Sequence, residues 1–202
     1  MDAVFTTLVD QLSAWSPAEG AAVVFAILYL LLAIRENIWC WFCAGVSTAI
    51  YVWLFADAKL YMESLLNVFY FGMAVYGWYV WSGGRAGDDD LPVTVWPPRV
   101  HALALVAISL LVWLAGGWLS RNTDAAYPFV DSATTFAAIW ATFLVARKVL
   151  ENWWYWLVID FVSVFIYWSR DLELTAVLFV LYVVMIPFGL MSWTRSYRAA
   201  AA

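Results

Sequence analysis

The chain has 202 residues, 66% of them hydrophobic and 12% charged, with a formal net charge of −5 and a mean hydropathy of +0.81. Soluble globular domains carry about 25% charged residues, so an ordinary soluble fold is excluded. The ten Lys and Arg residues lie singly or in pairs, which excludes the concentrated basic patch that a nucleic-acid backbone requires.

A helix needs about 20 apolar residues to cross roughly 30 Å of hydrocarbon. Such segments are predicted at 18–34, 38–55, 60–81, 101–119, 128–147, 153–169 and 173–193. The expected fold class is therefore an all-α membrane protein of seven transmembrane helices, in which function must lie inside the bundle. The first segment starts late and lacks a basic leader, which reads as a span and not as a cleaved signal peptide. In the second, Cys40 and Cys43 form a lone C-x-x-C, read as small buried hydrophobes. In the third, Asn67 shares a face with Glu63 and Tyr70 and brings a donor and an acceptor to depth.

The tract Ser82–Arg99, "SGGRAGDDDLPVTVWPPR", is the linker of the chain, and its Asp88–Asp90 run reads as solvated surface. His101 opens the fourth segment as an interfacial residue with nothing arranged around it in the sequence. Asp131, Ser132, Thr134 and Thr135 open the fifth as capping residues, with the lining of a permeation path as the alternative. Trp81, Trp96, Trp118 and Trp193 read as anchors at the membrane interfaces.

The sixth segment carries Asp160 about eight residues in, about 12 Å from its start. An acid at that depth faces the bundle interior or a wet path and is a functional candidate by default. Trp156 and Ser163 lie one turn from it, Trp153 and Tyr167 two turns. This stripe can hold a flat heterocycle between indole faces while the carboxylate accepts hydrogen bonds or meets a positive ring. A structural pair between Asp160 and a neighbouring hydroxyl is the alternative. The last segment contains no lysine for a Schiff base, which excludes a retinal protein.

An internal repeat organises these segments. At an offset of 115, Glu36 matches Glu151, Asn37 matches Asn152, Trp39 matches Trp154, Trp41 matches Trp156 and Trp53 matches Trp168. A further echo pairs "YGWYVW" (76–81) with "FGLMSW" (188–193) once three residues are removed from the second unit. The expected organisation is a three-helix repeat at 18–81, a cytoplasmic linker at 82–100, a connecting span at 101–119 and a second repeat at 128–193. One joining span makes the two repeats parallel, a known transporter design that holds substrate near the midplane between repeats. A duplicated packing unit in a receptor, enzyme or structural protein is the alternative. With Trp39 and Asn152 from the matched stretches, the candidate substrate-binding set is Trp39, Glu63, Asn67, Tyr70, Asn152, Trp153, Trp156, Asp160, Ser163 and Tyr167.

Basic residues set the orientation. Arg35, Arg85, Arg99, Arg147, Lys148, Arg195 and Arg198 fall on one side of the seven spans, against Lys59, Arg121 and Arg170 on the other. The positive-inside rule puts the C-terminus in the cytoplasm and the N-terminus outside.

"LYMESLLNVFYFGMAVYGWYVW", "YPFVDS" and "RKVLENWWYWLVIDFVSVFIY" resemble the helix-three, helix-five and helix-six signatures of the bacterial nicotinamide riboside transporter (PnuC) family, and the resemblance runs from about residue 20 to 195. It implies a three-plus-one-plus-three plan similar to that of the sugar-transporting SWEETs. It further implies a homotrimer in the bacterial inner membrane, and facilitated diffusion of an unphosphorylated vitamin precursor that a cytoplasmic kinase then traps. By that likeness Trp153 and Trp156 are the E-N-W-x-x-W tryptophans that approach the substrate, and Asn67 stands where riboside transporters often have glutamine. Ala74, Asp160 and Phe188 stand where the riboside pattern has asparagines. Nicotinamide riboside is the first substrate implied, thiamine the alternative and riboflavin the third. A membrane-embedded enzyme would need a convergent nucleophile and base, and the sequence presents none. Neither a cofactor nor a metal is implied, and a pump's nucleotide-binding loop is missing from the sequence.

The orientation is checked by single cysteines placed at Asp10 and at Arg198 and exposed to an impermeant thiol reagent in intact cells. Labelling is expected at position 10; preferential labelling at position 198 overturns the topology.

Overall fold

The computed structural model describes residues 16–59, 61–83, 91–124, 126–170 and 172–200, with the side chains of 61–63 outside the described set. Among the described residues seven helices follow one another: α1 (Pro17–Ile34), α2 (Trp39–Asp57), α3 (Tyr61–Trp81), α4 (Pro98–Asn122), α5 (Pro128–Ala146), α6 (Asn152–Trp168) and α7 (Glu173–Ala200). By length and composition α1, α2, α4, α5 and α7 are long and apolar enough to cross a membrane. The remaining two, α3 and α6, carry Asn67, Asn152 and Asp160, and α6 has 17 residues, about 26 Å of helix. Polar content and shortness separate them from the other five.

Local chemistry sets the helix starts. Ser16 Oγ accepts the Glu19 amide at 3.2 Å while Glu19 Oε2 accepts the Ser16 amide at 2.7 Å, a capping box ahead of Pro17. Pro98 and Pro128 open α4 and α5 at positions where an amide proton would have no partner.

Six helices close into a ring. α1 packs on α2, α2 on α3, α3 on α5, α5 on α6, α6 on α7, and α7 back on α1. α4 lies outside it against α5, and His101 reaches α6, with Nδ1 3.1 Å from Tyr155 Oη and Nε2 3.9 Å from Glu151 Oε1. His101 therefore has partners that its sequence context did not suggest.

The ends of α1 and α5 are built alike. After Arg35 the Glu36 amide donates to Ala33 O and the Asn37 amide to Leu32 O; after Arg147 the Lys148 amide donates to Val145 O and the Val149 amide to Leu144 O. Both are Schellman turns. Glu36 (φ 54°) and Lys148 (φ 48°) occupy the left-handed position usually taken by glycine, at a cost of about 1–3 kcal/mol each. Their side chains meet in an ion pair, Lys148 Nζ to Glu36 Oε2 at 3.2 Å. Lys148 also stands 4.7 Å over the Trp81 ring.

Indoles add one further donor to each helix end, crosswise. Trp81 on α3 donates Nε1–H to Ala146 O at 3.1 Å, and Trp193 on α7 donates to Ala33 O at 2.9 Å. Trp41 meets Trp81 edge-on at 5.5 Å and 89°, Trp153 meets Trp193 at 5.5 Å and 88°, and Trp81 and Trp193 meet tilted at 6.2 Å and 55°. Trp41 covers Gly77 and Trp153 covers Gly189, with no room for a Cβ at either glycine.

These features correct two expectations. Trp81 and Trp193 are 6% and 0% exposed and belong to the core, unlike Trp118, which is exposed; an indole at a helix end serves another helix's carbonyl as readily as a membrane interface. The repeat register is also different. Arg35 and Arg147, Glu36 and Lys148, Trp41 and Trp153, Gly77 and Gly189, and Trp81 and Trp193 all play equal parts 112 positions apart, the spacing of the "YGWYVW" echo, and not 115. The tryptophan-rich openings of α2 and α6 had favoured identities over structural equivalence.

Part of the linker is docked. Thr94 pairs with the turn after α5, its amide donating to Lys148 O at 2.9 Å and its carbonyl accepting from the Leu150 amide at 2.8 Å, with Val93 and Val149 buried. The Asp88–Asp90 run lies outside the described residues.

Gly189→Ala is expected to overpack the Trp153 contact and destabilise by about 1–3 kcal/mol. Gly20→Ala, where nothing lies within 4 Å, is expected to be neutral or stabilising. Melting in detergent checks the pair; equal melting temperatures contradict the packing described.

Candidate functional site

The ring encloses a cavity of about 420 Å³. One end is closed by the layer just described, with Ala33, Trp41, Val145, Asn152, Trp153 and Ile186 as the floor. The wall rises past Asp160 to Tyr51, Leu66, Thr134, Tyr167 and Phe179. Trp153 and Tyr167 are 14 residues apart on α6, so the lining covers about 21 Å along the axis. Tyr167 stacks on Phe179 at 5.1 Å near the far end.

Most of the sequence candidates converge here. Asn67, Tyr70, Asn152, Trp153, Trp156, Asp160, Ser163 and Tyr167 all line this cavity. Thr134 and Thr135, read first as capping residues, line it too. The Glu63 side chain lies outside the described residues. Trp39 does not belong: it is 55% exposed and meets Phe42 and Trp78 edge-on. It starts α2 on the face opposite Trp41, and its match at offset 115, Trp154, is equally exposed.

The asparagine departures also separate. Phe188 is 57% exposed on the outer face of α7 and Ala74 is buried in the core between helices, neither on the cavity wall. Only Asp160 of the three changes the chemistry of the cavity.

Sequence reasoning missed Tyr29, Trp41, Thr48, Tyr51 and Tyr182, all on the wall. The spacing of 112 would have found several of them. Lining residues occur in pairs at that spacing: Trp41 with Trp153, Ala44 with Trp156, Thr48 with Asp160, Tyr51 with Ser163, Asn67 with Phe179 and Tyr70 with Tyr182. The two halves of the wall share a shape and differ in chemistry.

Hydrogen bonding sharpens the difference. Ser47 Oγ donates to Ala22 O at 2.8 Å, Thr48 Oγ1 to Ala44 O at 2.8 Å and Thr142 Oγ1 to Ala138 O at 2.7 Å, so these hydroxyls are already engaged with the backbone. Asn152 donates to Val149 O at 2.7 Å and keeps its Oδ1 unpaired. Asp160 is 5% exposed, and neither a hydrogen bond nor an ion pair reaches it from the described residues. The alternative of a structural pair with a neighbouring hydroxyl therefore finds no partner. No Lys, Arg or His is among the described lining residues. The cavity can accept flat rings between aromatic faces and a hydrogen-bond donor or positive charge at mid-depth.

Among the described residues seven helices, five of them long and apolar enough to cross a membrane and six of them around one central cavity, make the architecture of a multi-pass membrane protein. Residues 16–195 match the nicotinamide mononucleotide transporter family, and the chain belongs to this family, that of the PnuC transporters. It is 24% identical over 205 residues to the nicotinamide riboside transporter PnuC of Escherichia coli (strain K12), covering 89% of this chain and 86% of that one. Over 198 residues it is 26% identical to the riboflavin/roseoflavin transporter RibM of Streptomyces davaonensis, covering 95% and 90%. A crystal structure of the vitamin B3 transporter PnuC superposes with a TM-score of 0.73 at 20% identity, over 97% of this chain and 90% of the other. That likeness establishes the shared fold.

Proposed function

We propose that the chain carries an unphosphorylated vitamin precursor, nicotinamide riboside first, down its gradient across the bacterial inner membrane. The observation that carries this reading is the cavity wall, with aromatic faces from α1, α2, α3, α6 and α7, one carboxylate, and no basic side chain among the described lining residues. A heterocycle fits the faces, and sugar hydroxyls fit the polar groups of the wall, Ser163 and Asn67 among them. A phosphate would bring negative charge beside Asp160 with no cation to neutralise it, which favours the riboside over the mononucleotide in the family's description.

The similarity to RibM, spanning 95% of this chain, supports riboflavin as the second reading; thiamine is a third, with its fixed positive charge set against Asp160. An embedded enzyme is the less supported reading, since the family model and the curated relatives are transporters.

Two parallel repeats, 18–81 and 128–193, joined by the span 101–119, are supported by the spacing of 112 and by the crosswise indole bonds. In this plan α3 and α6 cross the membrane with the other five helices. The charge bias turns the Glu36–Lys148 end and the linker 82–100 to the cytoplasm and the N-terminus outward. Substrate release then requires the Glu36–Lys148 layer to part, as one repeat rocks against the other. The homotrimer and the cytoplasmic kinase that traps the product rest on the family resemblance.

In proteoliposomes, nicotinamide riboside is expected to equilibrate without ATP and without an ion gradient; accumulation that appears only with a proton or sodium gradient contradicts the uniport. Trp156→Ala is expected to weaken binding by about 1–3 kcal/mol, by analogy with aromatic stacking platforms, while Trp39→Ala leaves it unchanged. Calorimetry on the two variants decides, and equal effects would remove the assignment of the wall.

A further inference from the structure

We propose that Asp160 makes the cavity charge-selective, so that its ligand is a heterocycle bearing a positive charge on the ring and the neutral ring of the same shape is discriminated against. This inference rests on the cavity being the substrate site. It goes further by naming the charge of the substrate and the residue that reads it, and it separates the two substrate chemistries that the relatives leave open.

The first observation is isolation. Asp160 lies about 12 Å along α6 from Asn152, 5% exposed, on the cavity wall, without a hydrogen bond or ion pair from the described residues. A carboxylate withdrawn from water is stabilised only by a cation or by several donors. Neither is in place among the described residues, and a cation arriving with the ligand supplies what the charged form lacks.

The second observation is asymmetry. Thr48 stands 112 positions before Asp160, at the equivalent place on α2, and its hydroxyl is turned into its own helix towards Ala44 O and Gly45 O. One half of the wall is electrically silent where the other carries an acid. A bound ring is therefore oriented, with its positive part towards α6.

The third is the company of the carboxylate. Trp156 is on the same face of α6, and Tyr29, Tyr70 and Tyr182 line the wall from α1, α3 and α7. Faces of this kind attract a cation through their quadrupoles, most strongly where water is excluded. A pyridinium or thiazolium ring meets both the faces and the acid. The neutral isoalloxazine of riboflavin meets only the faces.

Nicotinamide riboside and its 1,4-dihydro form supply the test, because they share a skeleton and differ in ring charge. In calorimetry on the purified full-length protein, the oxidised cation is expected to bind at least about tenfold more tightly than the dihydro form. Asp160→Asn is expected to remove that preference by weakening the cation alone, and Asp160→Glu to restore part of it. Equal affinity for the two forms in the unaltered protein overturns the charge rule and leaves the cavity reading intact, and tighter binding of riboflavin than of either form overturns it in the same way. If none of nicotinamide riboside, its dihydro form, thiamine or riboflavin binds, the cavity reading falls and takes the charge rule with it. Repeating the titration with N-methylglucamine in place of sodium separates the ligand's charge from an inorganic cation at Asp160; a preference that exists only with sodium counts against the proposal. The comparison of the two forms in the unaltered protein needs no substitution, so a poorly folding variant does not blunt it.

Discussion

Two helix ends buried side by side inside a bundle pose the problem on which this architecture turns. The last carbonyls of α1 and α5 have no intrahelical partners, and the ring leaves them away from water, with Ala33 and Ala146 buried at 2% and 0% exposure. Each end satisfies part of its own need with a left-handed turn, at Glu36 and at Lys148. The opposite half adds a donor to each end, Trp193 to Ala33 O beside the Glu36 amide and Trp81 to Ala146 O. Non-glycine residues hold the strained positions because their side chains are needed there: one acid and one base, 3.2 Å apart. A glycine at either position would relax the backbone and remove this ion pair.

That closure fixes what lies beyond it. With Trp41 seated on Gly77 and Trp153 on Gly189, the floor of the cavity is set at the same level on both sides. The wall above inherits a two-fold shape from the spacing of 112, and its chemistry is free to differ. Ala44 faces Trp156 across that relation, and Thr48 faces Asp160. The two sides of the wall correspond in position at that spacing, while the acid and two of the indoles that line the cavity stand together on α6.

Much of this was legible in the sequence, for reasons that can be named. Hydrophobic length revealed the helices, since burial in lipid demands it whatever the partners. Asp160 stood out because an acid at depth has few structural explanations, and its stripe mates at three- and four-residue spacing came with it. Register was harder. Trp39 and Trp154 are identical and both exposed, so identity at offset 115 recorded a shared surface, whereas Glu36 and Lys148 are equivalent and opposite in charge, an equivalence that sequence matching scores against. Trp81 and Trp193 look like interface anchors until the carbonyls they serve are known. Phe188 and Ala74 drew attention by their place in a motif, yet only three-dimensional phase separates an outward phenylalanine from a lining residue. Tyr29 and Tyr182 carried no local signal, because their role follows from closing the ring.

Two like turns that meet across an approximate two-fold relation hold the closed end of the cavity, and the rest of the site depends on that contact. Exchanging the charges tests it most directly, through the melting temperature of Glu36→Lys, of Lys148→Glu and of the double exchange. Each single change is expected to destabilise by leaving like charges together. The double exchange is expected to recover most of the loss, since it restores one acid and one base at the same two turns. A double exchange that loses the sum of the two single effects would contradict the contact between the halves.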